Sequence, residues 1–272
     1  MTEPDVDFDG ILERYRRDGF VVLPALIPDQ LLQEIRRALP ALLAEDGPQR
    51  FFEQDGSTVR AVYGLHRKDA PWRTVSEETL LPRAARTLLG EDMYVYQWKI
   101  NPKAANTGDR WEWHRDFTFW QREDGMPAPD ALTAAVFLDE VTEENGPLQL
   151  IPGSHAVATR YETAEEQRAD SASRADDNWS AIVSANLSHS IPPAVAEELA
   201  EEHGVHRATG PAGTVVLFSS NIVHGSSPNR SGQPRTLALI SYNTVGNAPA
   251  EWANPRPEFF LNHDATALDV RS

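Results

Sequence analysis

Trp113-His114-Arg115-Asp116 sets an imidazole and a carboxylate two positions apart inside a short β-like run, Trp111 to Trp120. Side chains alternate across a strand, so His114 and Asp116 are expected on one face, where both can reach a single metal ion. An imidazole and a carboxylate are two of the three protein ligands of the facial triad, which leaves positions on iron(II) open for a co-substrate and O2. The third ligand is expected from a distant histidine. His224, in Ile222-Val223-His224-Gly225-Ser226, follows the β-like run Thr214 to Phe218 and is placed to supply it from a neighbouring strand.

An H-x-D motif alone is weak, because a half-buried histidine beside an aspartate is often only a hydrogen-bonded pair. Arg235 sharpens it. It follows His224 beyond the turn-rich stretch Ser226 to Pro234, so the turn is expected to bring the next strand back beside the first. A guanidinium there matches a carboxylate bidentately, the geometry needed to clamp the distal end of 2-oxoglutarate.

Outward from these residues, Tyr94 to Ile100, Ala131 to Leu138, Leu148 to Ile151, Gly213 to Phe218 and Thr236 to Tyr242 are further short β-like runs, separated by Gly, Pro and Asn turns. That pattern predicts a sandwich or barrel, here a jelly-roll core. Upstream, apolar spacing predicts a helix over Phe8 to Asp18, stopped at Asp18-Gly19, a strand at Phe20 to Leu23, a second helix over Pro28 to Leu43 and a third over Glu77 to Leu89. The expected organisation is one domain over residues 1–272. A mainly helical flank covers about 1–92, the jelly-roll core about 93–245, and a C-terminal segment 246–272. A charged insertion near 161–178 reads as a solvated loop or an active-site lid.

Lys plus Arg number 25 and Asp plus Glu 41, a formal charge of −16. Such a surface repels phosphate backbones and anionic membranes, so nucleic-acid and membrane partners are not expected. The chain has no cysteine, which excludes disulfides, Cys-ligated zinc, iron–sulfur clusters and thiol nucleophiles. Any metal must sit on histidines and carboxylates. The opening MTEPDVDFDG has neither the basic start nor the apolar stretch of a signal peptide, and a cytoplasmic location is the expectation.

Many ordered segments carry a family resemblance: Thr58-Val59-Arg60-Ala61-Val62-Tyr63, Tyr96-Gln97-Trp98-Lys99-Ile100-Asn101, Trp113-His114-Arg115-Asp116-Phe117, Glu123-Asp124-Gly125-Met126, Asn145-Gly146-Pro147-Leu148, Pro152-Gly153-Ser154-His155, Val223-His224-Gly225-Ser226 and Arg256-Pro257-Glu258-Phe259. Together they resemble the phytanoyl-CoA dioxygenase superfamily of Fe(II)/2-oxoglutarate oxygenases. The match is closest to its bacterial free amino-acid hydroxylases, those acting on proline and leucine, with ectoine hydroxylase further away. The resemblance implies a mainly β fold with flanking helices around a double-stranded β-helix, and an enzyme that hydroxylates a small molecule with Fe(II), 2-oxoglutarate and O2.

By the same resemblance iron falls to His114, Asp116 and His224, and the 2-oxoglutarate carboxylate to Arg235 with Ser226, with Thr133 near the co-substrate. Arg256 looks towards the substrate carboxylate, Gln97 and Trp120 line the pocket, and Arg60 lies in a segment shared across the group. A carboxylate at 116 implies hydroxylation, since related halogenases have a small residue there. Purely structural readings stand beside these. Arg256, between two prolines, is placed for an ion pair pinning the C-terminal segment, and a core-facing Gln97 needs buried partners in any case. Thr133 and Thr118 depart from the proline and leucine hydroxylases, which carry asparagine and isoleucine there, so the substrate need be neither amino acid. The rivals are an ectoine-type hydroxylase, a zinc hydrolase, which leaves Arg235 unexplained, and a non-catalytic jelly-roll binding module.

Overall fold

The computed structural model describes residues 6–157, 187, 189–249 and 256–270. Its first helix, α1 (Phe8–Asp18), is capped by Asp7, whose carboxylate accepts from the Gly10 N–H. Gly19 ends it with φ 82°, a left-handed state that glycine adopts without steric penalty. β1 (Phe20–Leu23) and α2 (Asp29–Ala44) follow as their patterns predict. The helix expected over Glu77 to Leu89 starts later, as α4 (Leu80–Leu89), and a short α3 (Trp72–Glu77) precedes it. Thr79 separates them, because its backbone is extended and its hydroxyl caps α4 by accepting from the Leu81 N–H.

The β-rich part comprises β2 (Arg50–Phe52), β3 (Val59–Tyr63), β4 (Met93–Lys103), β5 (Trp111–His114), β6 (Ala131–Phe137), β7 (Leu148–Leu150), β8 (His206–Ala208), β9 (Val215–Ser219), β10 (His224–Ser226) and β11 (Arg235–Thr244). Two helices interrupt it, α5 (Asp116–Asp124) and α6 (Pro193–His203). The run Trp111 to Trp120 is therefore not one strand. It stops at His114 and becomes helical at Asp116, where the Phe117 N–H is bonded to Ser220 O. Phe117, Thr118, Phe119 and Trp120 are all buried, so the first turn of α5 lacks the polar face from which a helical period is read, and its aromatic residues mimic a strand.

The strands form two antiparallel sheets, one in the order β1-β9-β6-β11-β4-β3-β2 and one in the order β5-β10-β7-β8, a jelly roll with flanking helices. Alternation sorts the larger sheet's side chains. Leu132, Ala134 and Val136 of β6 pack on the helical side with Ile11, Ile35 and Leu81, while Ala135 and Phe137 meet Leu148, Leu150 and Ala208 of the smaller sheet. The flank before residue 92 adds strands at both ends of the larger sheet. The segment 161–178, with its lid reading, lies outside the described residues. Among the described residues no helix is long and apolar enough to cross a membrane.

One irregularity matters for the site. Ser241 of β11 pairs with Gln97 and Tyr242 with Val95, so Tyr96 is an extra residue in β4. This bulge resets the alternation. Before it, Met93 and Val95 pack on the helical side and Tyr94 and Tyr96 on the aromatic cluster around Trp120; after it, Trp98 and Ile100 pack on the helical side, while Lys99 and Asn101 line an internal cavity.

Candidate metal and co-substrate site

His114 ends β5 and His224 begins β10, and the two are register partners in the smaller sheet. Asp116 joins them from the first position of α5, so the three converge where a strand end turns into a helix, and not by alternation along one strand. Their candidate ligand atoms all lie within 4.8 Å of one another. Asp116 Oδ1 stands 3.8 Å from His114 Nε2 and 3.9 Å from His224 Nε2. Each histidine engages a backbone carbonyl through Nδ1, His114 with Glu112 O at 2.6 Å and His224 with Ile222 O at 3.1 Å. Donating there selects the tautomer whose Nε2 lone pair faces the shared space.

The electrostatics keep these groups in metal-binding form. Burial, then the neighbouring His224, pushes His114 down to about 3, and burial also lowers His224. Both imidazoles are neutral near pH 7. Burial opposes ionisation of Asp116, but with both imidazoles neutral the nearby charge of Lys99 and the hydrogen bond from Thr133 still favour the carboxylate and hold it below its ordinary value. Two neutral imidazoles and one carboxylate form the donor set of a facial triad, and they fit iron(II).

Arg235 does not reach the site from a strand beside His224. β10 belongs to the smaller sheet, whereas β11, which Arg235 opens, pairs with β4 and β6 in the larger one. Arg235 and the two histidines line one cavity from opposite sheets, with Asp116 entering it from α5. The guanidinium is buried and bonded through Nη2 to Gly146 O, while its Nε has no hydrogen-bond partner. Burial lowers it to about 9, still charged near neutral pH. A buried cation with an unmatched donor fits the distal carboxylate of 2-oxoglutarate. Ser226 and Thr133 line the same cavity.

Sequence reasoning missed Lys103 and Asn101. Lys103 is the register partner of Arg235 and donates to Ser226 Oγ at 2.7 Å and to Ser227 O at 2.5 Å. Burial, then the positive charges of Arg235 and Arg60, pushes Lys103 down to about 5. Lys99 and Asn101 line the cavity, and Asn101 Oδ1 is buried without a partner. The signal was polar residues at every second position, 97 to 103, in a strand otherwise apolar.

The four residues expected at the substrate do not line this cavity. Arg256 is bound bidentately by Asp124, Nε to Oδ1 at 2.7 Å and Nη2 to Oδ2 at 2.5 Å, and lies over the Phe260 ring. The Tyr96 hydroxyl donates to the same Asp124 at 2.6 Å. Trp120 packs edge-on against Tyr96, and Gln97 Nε2 donates to Phe260 O at 3.4 Å. These three therefore share one aromatic cluster. Arg60 instead pairs with Glu53 at 2.7 Å and stacks on Trp111, itself a cavity residue.

The chain matches the family described as phytanoyl-CoA dioxygenase (PhyH) over residues 15–237. It belongs to that family. It is 43% identical over 255 residues to the L-proline trans-4-hydroxylase of Streptomyces griseoviridis, covering 94% of this chain and 92% of that protein. It is 33% identical over 266 residues to the ectoine dioxygenase of Bordetella bronchiseptica, covering 93% and 82%. Among solved structures, EctD of S. alaskensis with 2-oxoglutarate and 5-hydroxyectoine superimposes with a TM-score of 0.78 at 30% identity, covering 96% of this chain and 86% of that one. As a phytanoyl-CoA dioxygenase family member with this donor set, the chain is an Fe(II)- and 2-oxoglutarate-dependent dioxygenase, a hydroxylase of small metabolites.

Proposed function

We propose that this dioxygenase hydroxylates an unactivated C–H bond of a free amino acid or a similar small carboxylate. The observation that carries the reading is the meeting, in one cavity, of the His114–Asp116–His224 triad and a buried Arg235 whose Nε is unpartnered. The 43% identity to an L-proline trans-4-hydroxylase supports the amino-acid class. Iron(II) with 2-oxoglutarate and O2 supplies the oxidant, releasing succinate and CO2.

The protein's own residues bind, orient and exclude water. His114 Nε2, His224 Nε2 and Asp116 hold the metal. Arg235 clamps the distal carboxylate of 2-oxoglutarate, with Ser226 beside it and Lys103 behind Ser226. Thr133 completes that wall. Asp124 occupies two of the five N–H donors of Arg256, which leaves three for a substrate carboxylate. Gln97 and Trp120 wall the substrate, and Arg60 supports the cavity through its stack on Trp111. Free amino acids and 2-oxoglutarate are both cytoplasmic metabolites, which supports a cytoplasmic setting.

The test is a screen of proteinogenic amino acids and small zwitterions, ectoine among them, with iron(II), ascorbate and 2-oxoglutarate. A free amino acid should give stoichiometric succinate and a product heavier by one oxygen. Turnover of ectoine alone would shift the reading to an ectoine-type hydroxylase, favoured by the 33% relative. Binding of small molecules without any succinate would return the chain to a jelly-roll binding module.

A further inference from the structure

Two hydroxyls stand behind the iron-binding carboxylate. Thr133 of β6 and Ser241 of β11 are register partners, and both face the interior between the sheets. Thr133 Oγ1 lies 3.1 Å from Asp116 Oδ2 and 3.0 Å from Ser241 Oγ, and each of these two residues is only 1% exposed. Proton counting fixes the direction of the chain. An ionised carboxylate only accepts, so the single Thr133 proton goes to Asp116, and the Thr133–Ser241 contact is made by the Ser241 proton. The order is Ser241 to Thr133 to Asp116.

The two oxygens of Asp116 are thereby given different surroundings. Oδ1 is the one that faces both histidine Nε2 atoms, at 3.8 and 3.9 Å. Oδ2 is turned to Thr133. A carboxylate at the start of a helix has its backbone fixed but can still rotate about its side-chain torsions, and a hydrogen bond to one oxygen removes that freedom. We infer that the Ser241–Thr133 pair is a positioning device that holds Asp116 Oδ2 and leaves Oδ1 as the single oxygen offered to the metal. Neither hydroxyl need touch substrate or metal to do this. The inference rests on the proposed iron site and gives Thr133 a duty towards Asp116 beyond its place in the wall beside 2-oxoglutarate.

The experiment measures metal affinity in the whole protein without co-substrate, substrate or turnover. Co(II) and Mn(II) are titrated anaerobically by calorimetry into the wild type and the Thr133→Val, Thr133→Ser and Ser241→Ala variants. Thr133→Val keeps the shape and removes the donor, and should weaken metal binding by about ten- to a hundredfold, the usual cost of losing a partner of a metal ligand. Thr133→Ser restores the donor and should return to within about threefold of the wild type. Ser241→Ala removes only the outer link and should fall between them. The melting temperature of the metal-free variants separates a packing role, which would lower it and leave metal affinity unchanged.

Metal affinity of Thr133→Val within about twofold of the wild type overturns the inference, as does an equal loss in Thr133→Val and Thr133→Ser. Should Thr133→Val fail to fold, Ser241→Ala decides: a weaker metal site supports the relay, an unchanged one overturns it. A wild type that binds neither metal would instead remove the proposed iron site, and this inference with it.

Discussion

His224 lies directly opposite His114 across the β5–β10 pair, with the two imidazole centroids 4.2 Å apart. The spacing of these two ligands is thus the spacing of two adjacent strands, and Gly225 keeps it. A Cβ at Gly225 would stand 2.9 Å from the backbone carbonyl oxygen of Trp111, so β10 would have to move away from β5. Gly225→Ala should therefore weaken Co(II) binding by about tenfold while circular dichroism stays that of the wild type. Undiminished metal affinity would mean that the strand pair does not set the ligand spacing.

Arg235 carries the prediction for the co-substrate. Truncating a buried, hydrogen-bonded charged partner costs about 2–5 kcal/mol, so Arg235→Ala should raise the 2-oxoglutarate requirement by more than about thirtyfold. Iron binding should be spared, because Arg235 is not a ligand. Initial rates of succinate formation at varied 2-oxoglutarate are the measurement, and an unchanged KM removes Arg235 from the co-substrate site.

The Arg256–Asp124 pair predicts a double effect. Both side chains are buried, so removing either leaves an uncompensated charge, and Arg256→Ala or Asp124→Ala should each lose about 3–5 kcal/mol of stability in urea unfolding. Replacing both by leucine should recover most of it. If Arg256 also receives the substrate carboxylate, the double variant will be stable and yet poor in substrate affinity. Full affinity in that variant would leave Arg256 only its structural ion pair.

Lys103 predicts a proton linkage. Burial holds it near 5, so at pH 7 in the ligand-free protein it is neutral, and its two contacts with Ser226 and Ser227 suit an amine. A dianion bound beside Arg235 favours the charged form and raises that value. Binding of 2-oxoglutarate at pH 7 should thus take up a proton, and uptake should vanish below about pH 5, where Lys103 is already charged. Calorimetry in two buffers of different ionisation enthalpy reads this directly, with Lys103→Met as the control that should abolish it. Equal heats in both buffers would sink the linkage.

By itself the sequence determined the class of fold and the chemistry of the metal. Short β runs between turn residues, no cysteine, and an imidazole and a carboxylate near one another with a distant His224 leave few other arrangements, because residue type dictates donor chemistry and alternation dictates which faces are buried. Only the tertiary structure decided how those residues meet. Asp116 reaches the histidines from a helix because burial all round the first turn of α5 overrides the β character of its aromatic residues. Arg235 arrives from the opposite sheet, since the turn after His224 crosses between sheets instead of folding back within one. The Tyr96 bulge shifts the alternation of β4 and points Lys99, Asn101 and Lys103 inward. Asp124, far from Arg256 in the chain, takes that guanidinium in a buried pair. No local pattern encodes such long-range choices, because they depend on which surfaces pack once the two sheets have formed.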